Sequence, residues 1–532
     1  MRAAPLLIAL ILMTLAAPAK AQTPGPFASA TEQQQAMTEG RTSAQALTRA
    51  YLARIAQLNH RGPRLNAVIA VNPRALAEAR ALDAERKAGR VRGPLHGLTV
   101  LIKDNIEIDD GLPTTAGSLA LIDNVTGRDA PVAARLRAAG VVILGRANLS
   151  EWANFRSTRS LSGWSAVGGM TRNPHSLDRT ACGSSSGSGA SVAAGLAALA
   201  VGTETDGSIT CPAAMTGIVG LKPTVGLVSR DRIVPISPAQ DTAGPMTRTV
   251  ADAALLLGAM AGSDPRDPAT TEADARRADY AAGLRTASLK GVRLGVWRGL
   301  QGRSPQADAV FEAALKSLAA AGAVLVELKG PEAATLARVG SLEGDLLHAD
   351  FKTAVAAYLA DAAPAVKAKT LADLIAFNTA EPRETALFGQ EIFERAQRGP
   401  GADDPKVIAD RAEATRLSRS ALDAMFAEAG GVEAVVALAN GPAAILDPVN
   451  GARFFGSPST LPAVSGYPHL VVPAGDVNGL PIGLSFLGPA WSEARLLALG
   501  HAYEQAAPAR RDPAFLPSVA GRPEFAPAYD PS

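Results

Sequence analysis

The chain has 532 residues, 47% hydrophobic and 19% charged, which is ample material for a large core. Its 52 Lys and Arg against 50 Asp and Glu leave a formal charge of +2, so no bulk charge points to nucleic acid or an anionic membrane as a partner. The six histidines are scattered, and neither Cys-x-x-Cys nor His-Glu-x-x-His occurs, so no metal site is expected.

Met1-Arg2, an apolar run over Ala3–Ala17 and then Ala19-Lys20-Ala21 read as a secretory leader with an A-x-A cleavage site. Loss of residues 1–21 would remove Arg2 and Lys20 and take the charge from +2 to 0. The apolar run, about 15 residues, is shorter than a membrane anchor needs. The expected mature protein is therefore exported, periplasmic or secreted, with no membrane attachment. Residues 22–39 read as a polar, proline-containing spacer and 511–532 as a tail.

Thr42–Leu58 repeats apolar residues at helical spacing behind a Ser/Thr cap candidate, and Arg74–Lys87 predicts a second helix. Leu98–Ile102 predicts a short strand that ends at Lys103. Further on come a helix over Pro131–Ala139, a strand over Val141–Leu144, a turn or helix over Asn148–Phe155 and a helix over Ala190–Val201. Gly217–Val228, a Thr247–Met260 helix and the strand-helix-strand unit Val292–Trp297, Ala307–Ala320, Ala323–Leu328 extend the pattern. Residues 331–431 are Ala-rich and helical. Val432–Leu438, Leu461–Ala474, Ser485–Leu487 and a Glu493–Ala506 helix close the chain. Helices alternating with short continuous apolar strands indicate an α/β sheet covered on both faces.

A Gly-Ser run, Cys182-Gly183-Ser184-Ser185-Ser186-Gly187-Ser188-Gly189, interrupts this apolar sequence. It opens onto a segment suited to a buried helix, so it is not a linker. A phosphate loop would require a Lys after the glycines, and none follows. The letters also fit Gly-x-Ser-x-Gly, which would make Ser185 a nucleophile. That elbow must follow a buried strand, and Asn173–Thr180 is polar and broken by Pro174.

A third reading joins the run to Lys103 in Leu95–Ile106 and to Ser208 in Gly202-Thr203-Glu204-Thr205-Asp206-Gly207-Ser208-Ile209. With Gly111–Ser118, Gly217–Thr224, Asp241–Pro245 and Gly479–Leu484, these segments resemble the amidase signature family from about residue 40 to about residue 510. The resemblance implies one large α/β domain over 40–510, with a central mixed, twisted sheet covered on both faces by helices. Residues 331–431, which carry none of the motifs, would wall the pocket. It also implies a Ser-cisSer-Lys triad: Ser208 as nucleophile, Ser184 as bridging serine held by a cis peptide, and Lys103 as base.

Amide hydrolysis by such a triad needs no cofactor. It needs a neutral base, and a free lysine is protonated at neutral pH. Burial at the end of the apolar Val100-Leu101-Ile102 run would lower the Lys103 pKa, so Lys103 is expected to be buried and neutral. The backbone N–H groups of Thr205, Asp206, Gly207 and Ser208, on a turn entering a helix, are the oxyanion-hole candidates. Cys182 and Cys211 sit beside the two serine turns; they could pair, but are expected as free thiols packing near the site.

Two departures bear on the substrate. Many relatives carry Gly-Gly-Ser at the nucleophile, whereas here it is Asp206-Gly207-Ser208, so the Asp206 carboxylate should turn away or meet a substrate N–H. Many also carry Arg shortly afterwards, where this chain has Thr210-Cys211. The Thr203–Ile209 stretch, the Gly-Ser run and the leader are similar to those of the bacterial peptide amidases. The resemblance implies release of ammonia from C-terminally amidated peptides, and a monomer or homodimer is expected. A small-molecule or aryl acylamidase is the alternative within the family. A glutamyl-tRNA amidotransferase A-type component, which works with a partner in the cytosol, and a non-enzymatic binding protein are the alternatives from other classes.

Overall fold

Thr99–Lys103 is a strand whose five residues are all buried, and it is part of an eleven-stranded sheet that organises the molecule. The computed structural model describes residues 24–451 and 455–525, so the expected leader over 1–21 lies outside the described residues. In chain order the sheet strands are β1 (Val68–Val71), β2 (Thr99–Lys103), β3 (Val142–Ala147), β4 (Leu199–Glu204), β5 (Val219–Lys222) and β6 (Thr242–Thr247). The second half adds β7 (Arg293–Trp297), β8 (Val324–Glu327), β9 (Ala434–Leu438), β10 (His469–Val477) and β11 (Leu480–Leu487).

Across the sheet the order is β1-β3-β2-β4-β6-β5-β10-β11-β9-β7-β8. β2 runs parallel to β3 and β4, and β7 parallel to β8 and β9. The remaining neighbours pair antiparallel. The sheet is thus mixed, and helices flank it in a single α/β domain. Strands such as β2, β4 and β9 read as continuous apolar runs because both of their faces are covered.

The stretch Ala190–Val201 is not one helix. The helix is Ser186–Ala193, and Gly195 takes a left-handed φ of 67° just past its end. A glycine there is a standard helix stop. The chain then turns back into the sheet as β4, which presents Thr203 and Glu204 to the site.

Within 22–39, Ala30–Thr38 form a helix opened by a Ser29 capping box. Asp252 accepts the Ala30 N–H at 3.0 Å, and Arg248 donates to the Ala28 carbonyl at 2.7 Å, fixing this segment to the core. At the other end, Leu177 N–H donates to the Leu516 carbonyl at 2.8 Å.

Within residues 331–431 the long helices are Ala333–Ala360, Leu371–Ala380 and Pro405–Ala427. Aromatic contacts of this region, from Phe351 on the first of these and Phe393 on the short helix Glu391–Arg398, reach into the signature part of the chain: Trp152 meets Phe393 edge-on at 5.7 Å, and Phe351 stacks on Phe393 at 5.1 Å. Among the described residues, no helix is long and apolar enough to cross a membrane.

Candidate active site

β2 delivers Lys103 to the centre of the molecule, where it is fully buried. Its Nζ lies 2.7 Å from Ser184 Oγ, 2.8 Å from Thr203 Oγ1 and 3.2 Å from the Thr203 carbonyl. Asn105 donates to the same Thr203 hydroxyl at 3.0 Å. Desolvation pushes the lysine down to about 7, against the opposing pull of Asp241 and Glu204. Burial and a weakened charge were both expected for this residue.

Ser184 is buried, and the Gly183-Ser184 peptide is cis. A Cβ at Gly183 would fall 2.2 Å from Ser150 Oγ, so only glycine fits before the serine. Ser150 N–H donates to the Ser184 carbonyl at 3.0 Å, which fixes the turn from below. Ser185 turns its hydroxyl inward to the Thr203 carbonyl at 3.0 Å, so it is not presented as a nucleophile.

Ser208 lies on the neighbouring turn, nearly buried at 7% exposure. Its carbonyl accepts the Ser185 N–H at 3.0 Å, which ties the two serine turns together. Among the described residues no hydrogen bond joins Ser208 Oγ to Ser184 Oγ. Lys103 and Ser184 therefore form one bonded unit, with Ser208 on the adjoining turn. Gly207 has a φ of 77°, and this left-handed step directs the chain into the helix Thr210–Thr216. The Asp206, Gly207 and Ser208 N–H groups have no backbone partner among the described residues. Glu204 closes the turn by accepting the N–H groups of Ile209 at 2.7 Å and Thr210 at 2.9 Å.

The cysteines are not free thiols. Cys182 and Cys211 form a disulfide, with Cα atoms 5.9 Å apart. The fold brings together two positions separated by 29 in sequence, one immediately before the cis turn and one in the first turn of the helix after Ser208. The pairing weighed against free thiols is the one adopted.

Asp206 turns away from the oxyanion turn. Its Oδ2 accepts the Thr460 hydroxyl at 2.7 Å, the Ser459 hydroxyl bonds the same carboxylate, and the Glu343 carboxyl adjoins it. Thr205 is held from the other side: its hydroxyl donates to Asp241 at 2.5 Å, and its carbonyl accepts from Gln240 at 3.4 Å. Asp241 also accepts the Ile236 and Ser237 N–H groups, and burial pushes it up to about 6. Thr203, Asn105, Asp241, Gln240 and Glu343 carry the site's polar framework yet had no assigned role in the sequence. Asn105, Thr203 and Asp241 lie within the family's motif segments, which was the available signal. For Glu343 the signal was a carboxyl on the buried stripe Val339, Leu342, Leu346, Ala349.

Among the described residues no histidine joins the site. His469 pairs with Ser485 at 2.8 Å and His175 with the Thr216 carbonyl at 3.0 Å, and burial lowers them to about 3 and about 4. Lys222, also buried and lowered to about 8, donates to the Pro223 carbonyl at 3.1 Å instead of to a serine. A cavity of about 400 Å³ opens beside the Lys103 cluster, lined by Asn105, Thr203, Thr205, Asp241 and, from the 331–431 helices, Ala354 and Tyr358. Among the described residues, no group of three or more His, Cys, Asp or Glu is placed to hold a metal ion.

A buried lysine bonded to a serine on a cis Gly-Ser turn, within a large mixed sheet, defines a class of amide-bond hydrolases, and residues 46–497 match the Amidase family. The chain belongs to that family and is an amidase, a hydrolase acting on amide C–N bonds. The native peptide amidase from Stenotrophomonas maltophilia superposes with a TM-score of 0.85 at 48% identity, over 92% of this chain and 98% of that one. A probable amidase from Arabidopsis thaliana is 40% identical over 490 residues, 90% of each chain. The A-type component of the glutamyl-tRNA(Gln) amidotransferase of a Synechococcus species is 34% identical over 505 residues, covering 90% of this chain and 92% of that one.

Proposed function

We propose that the chain cleaves a carboxamide through an acyl-enzyme on Ser208, and that its substrate is the C-terminal amide of a peptide. The observation that carries the mechanism is the 2.7 Å contact between Ser184 Oγ and a fully buried Lys103 Nζ. A neutral amine there can accept a proton from Ser184, which in turn accepts the proton of Ser208. Ser208 Oγ attacks the amide carbon while the N–H groups of Thr205, Asp206, Gly207 and Ser208 receive the developing oxyanion. The proton held at Lys103 returns through Ser184 to the nitrogen, the C–N bond breaks and ammonia leaves. Water then attacks the acyl-enzyme, gives a proton back along the same route and releases the peptide acid.

The likeness to a peptide amidase at 48% identity supports the peptide-amide reading. So does the lack of an Arg after the nucleophile, which removes the obvious cation for an anionic substrate. Likeness to the A-type component of a glutamyl-tRNA amidotransferase supports the second reading, a partner-dependent transferase. The apolar Ala3–Ala17 run argues for export instead, and we propose a periplasmic or secreted enzyme acting as a monomer or homodimer.

The test is ammonia release from a C-terminally amidated tripeptide beside a simple aryl amide, using the protein alone and Ser208→Ala as control. Release from the peptide amide that disappears in the control is expected. Activity on the aryl amide alone would replace the peptide-amide reading with the acylamidase one. Dependence on an added partner protein would favour the transferase.

A further inference from the structure

The turn that carries Asp206 and Gly207 is bonded to a part of the chain that has no signature motif. Glu343 lies on the Ala333–Ala360 helix and is 7% exposed. Its Oε1 accepts Gln240 Nε2 at 2.7 Å, and the same amide nitrogen reaches the Thr205 carbonyl at 3.4 Å. The Glu343 carboxyl also adjoins that of Asp206, which takes hydrogen bonds from the Thr460 and Ser459 hydroxyls. Two buried carboxyls this close repel when both are ionised, and a proton held between them removes that repulsion.

We infer that Glu343 is a positioning residue for the amidase reaction: as a neutral acid it donates to Asp206, accepts from Gln240, and so holds the 205–207 turn with its N–H groups facing the reacting carbonyl. The inference rests on the Ser208 reading above. Burial and the adjacent Asp206 carboxyl both raise the Glu343 pKa well above the usual carboxylate range, in keeping with that neutral form. The charged groups around the pair are Lys222 and Glu204 beyond Asp206, and the Asp350–Arg411 ion pair two helical turns along from Glu343. Neither cation is bonded to Glu343. When the shared proton is lost at high pH, two carboxylates are forced together, and the turn between them must move.

The experiment measures kcat and KM on a peptide amide across pH for wild type, Glu343→Ala and Glu343→Gln, with thermal unfolding of each. Glu343→Ala is expected to lower kcat by at least about tenfold with KM changed less than about twofold, as for a misplaced oxyanion donor. Glutamine can donate to Asp206 and accept from Gln240, so Glu343→Gln should restore most of kcat near neutrality. It should also abolish the alkaline fall in activity expected of wild type. A Glu343→Ala enzyme with unchanged kcat, a glutamine variant as impaired as the alanine one, or an alkaline limb identical in wild type and Glu343→Gln would each overturn the inference. Should Glu343→Ala not fold, the glutamine pH profile decides alone. The Ser208→Ala control separates the two readings: activity surviving there sinks the nucleophile assignment, whereas the Glu343 outcomes leave it standing.

Discussion

Acidification through neutrality should switch the enzyme off by protonating Lys103. Burial moves this lysine from an ordinary value near 10.5 down to about 7. That displacement corresponds to about 5 kcal/mol of discrimination against the ammonium form. The base form is then about nine-tenths of the enzyme at pH 8, about half at pH 7 and about one-tenth at pH 6. For an uncharged amide substrate, kcat/KM should therefore fall about tenfold between pH 8 and pH 6, and about tenfold more for each further pH unit. Asp241, itself pushed up to about 6, titrates in the same region, and Asp241→Asn tells the two apart. Its carboxylate favours the charged lysine, so its removal should lower the Lys103 pKa and move the acid limb to lower pH. Initial rates of ammonia release across pH, in buffers of constant ionic strength, measure both curves. An acid limb above pH 9 would mean an unperturbed lysine and refute the reasoning, as would a limb that Asp241→Asn moves upward.

Ser184→Ala should lower kcat by about 10²–10⁴-fold with KM little changed, because it severs the base from the nucleophile without touching the substrate; steady-state kinetics checks it. Reducing Cys182–Cys211 frees a loop of 29 positions, worth about 3–4 kcal/mol in the loop-closure picture. Oxidised and reduced protein should accordingly differ in denaturant midpoint, and coincident unfolding curves would contradict this. Phe393→Ala should cost about 3–5 kcal/mol, because the ring is fully buried between Trp152 and Phe351 and its removal leaves a cavity where the helical region meets the signature core. Chemical denaturation measures the loss.

The parts of this fold legible in the sequence are those with a strong period or an invariable chemistry. Val100-Leu101-Ile102 read as a buried strand because three consecutive large apolar residues need both faces covered, and Lys103 at its end follows from that placement. Ala190–Val201 misled because alanine and glycine fit helix and strand alike, so the stop at Gly195 and the change to β4 left no periodic trace. The disulfide was undecidable from spacing, because the 5.9 Å approach of Cys182 and Cys211 depends on how two turns pack. The polar framework around Thr205 and Asp206 draws on residues as distant as Gln240, Glu343 and Thr460, and only the folded chain brings them together. Lys103, Ser184 and Ser208 were singled out through the resemblance to the amidase signature family, whose motifs around them are local and ordered.

The most direct test of the account is intact-protein and peptide mass spectrometry after rapid quenching of the enzyme with an activated ester of a peptide acid, whose acylation outpaces deacylation. A mass increase equal to the peptidyl acyl group is expected, carried by the proteolytic fragment containing Ser208 and absent from Ser208→Ala. An adduct on Ser184 or Ser185, or one that persists in Ser208→Ala, would contradict it.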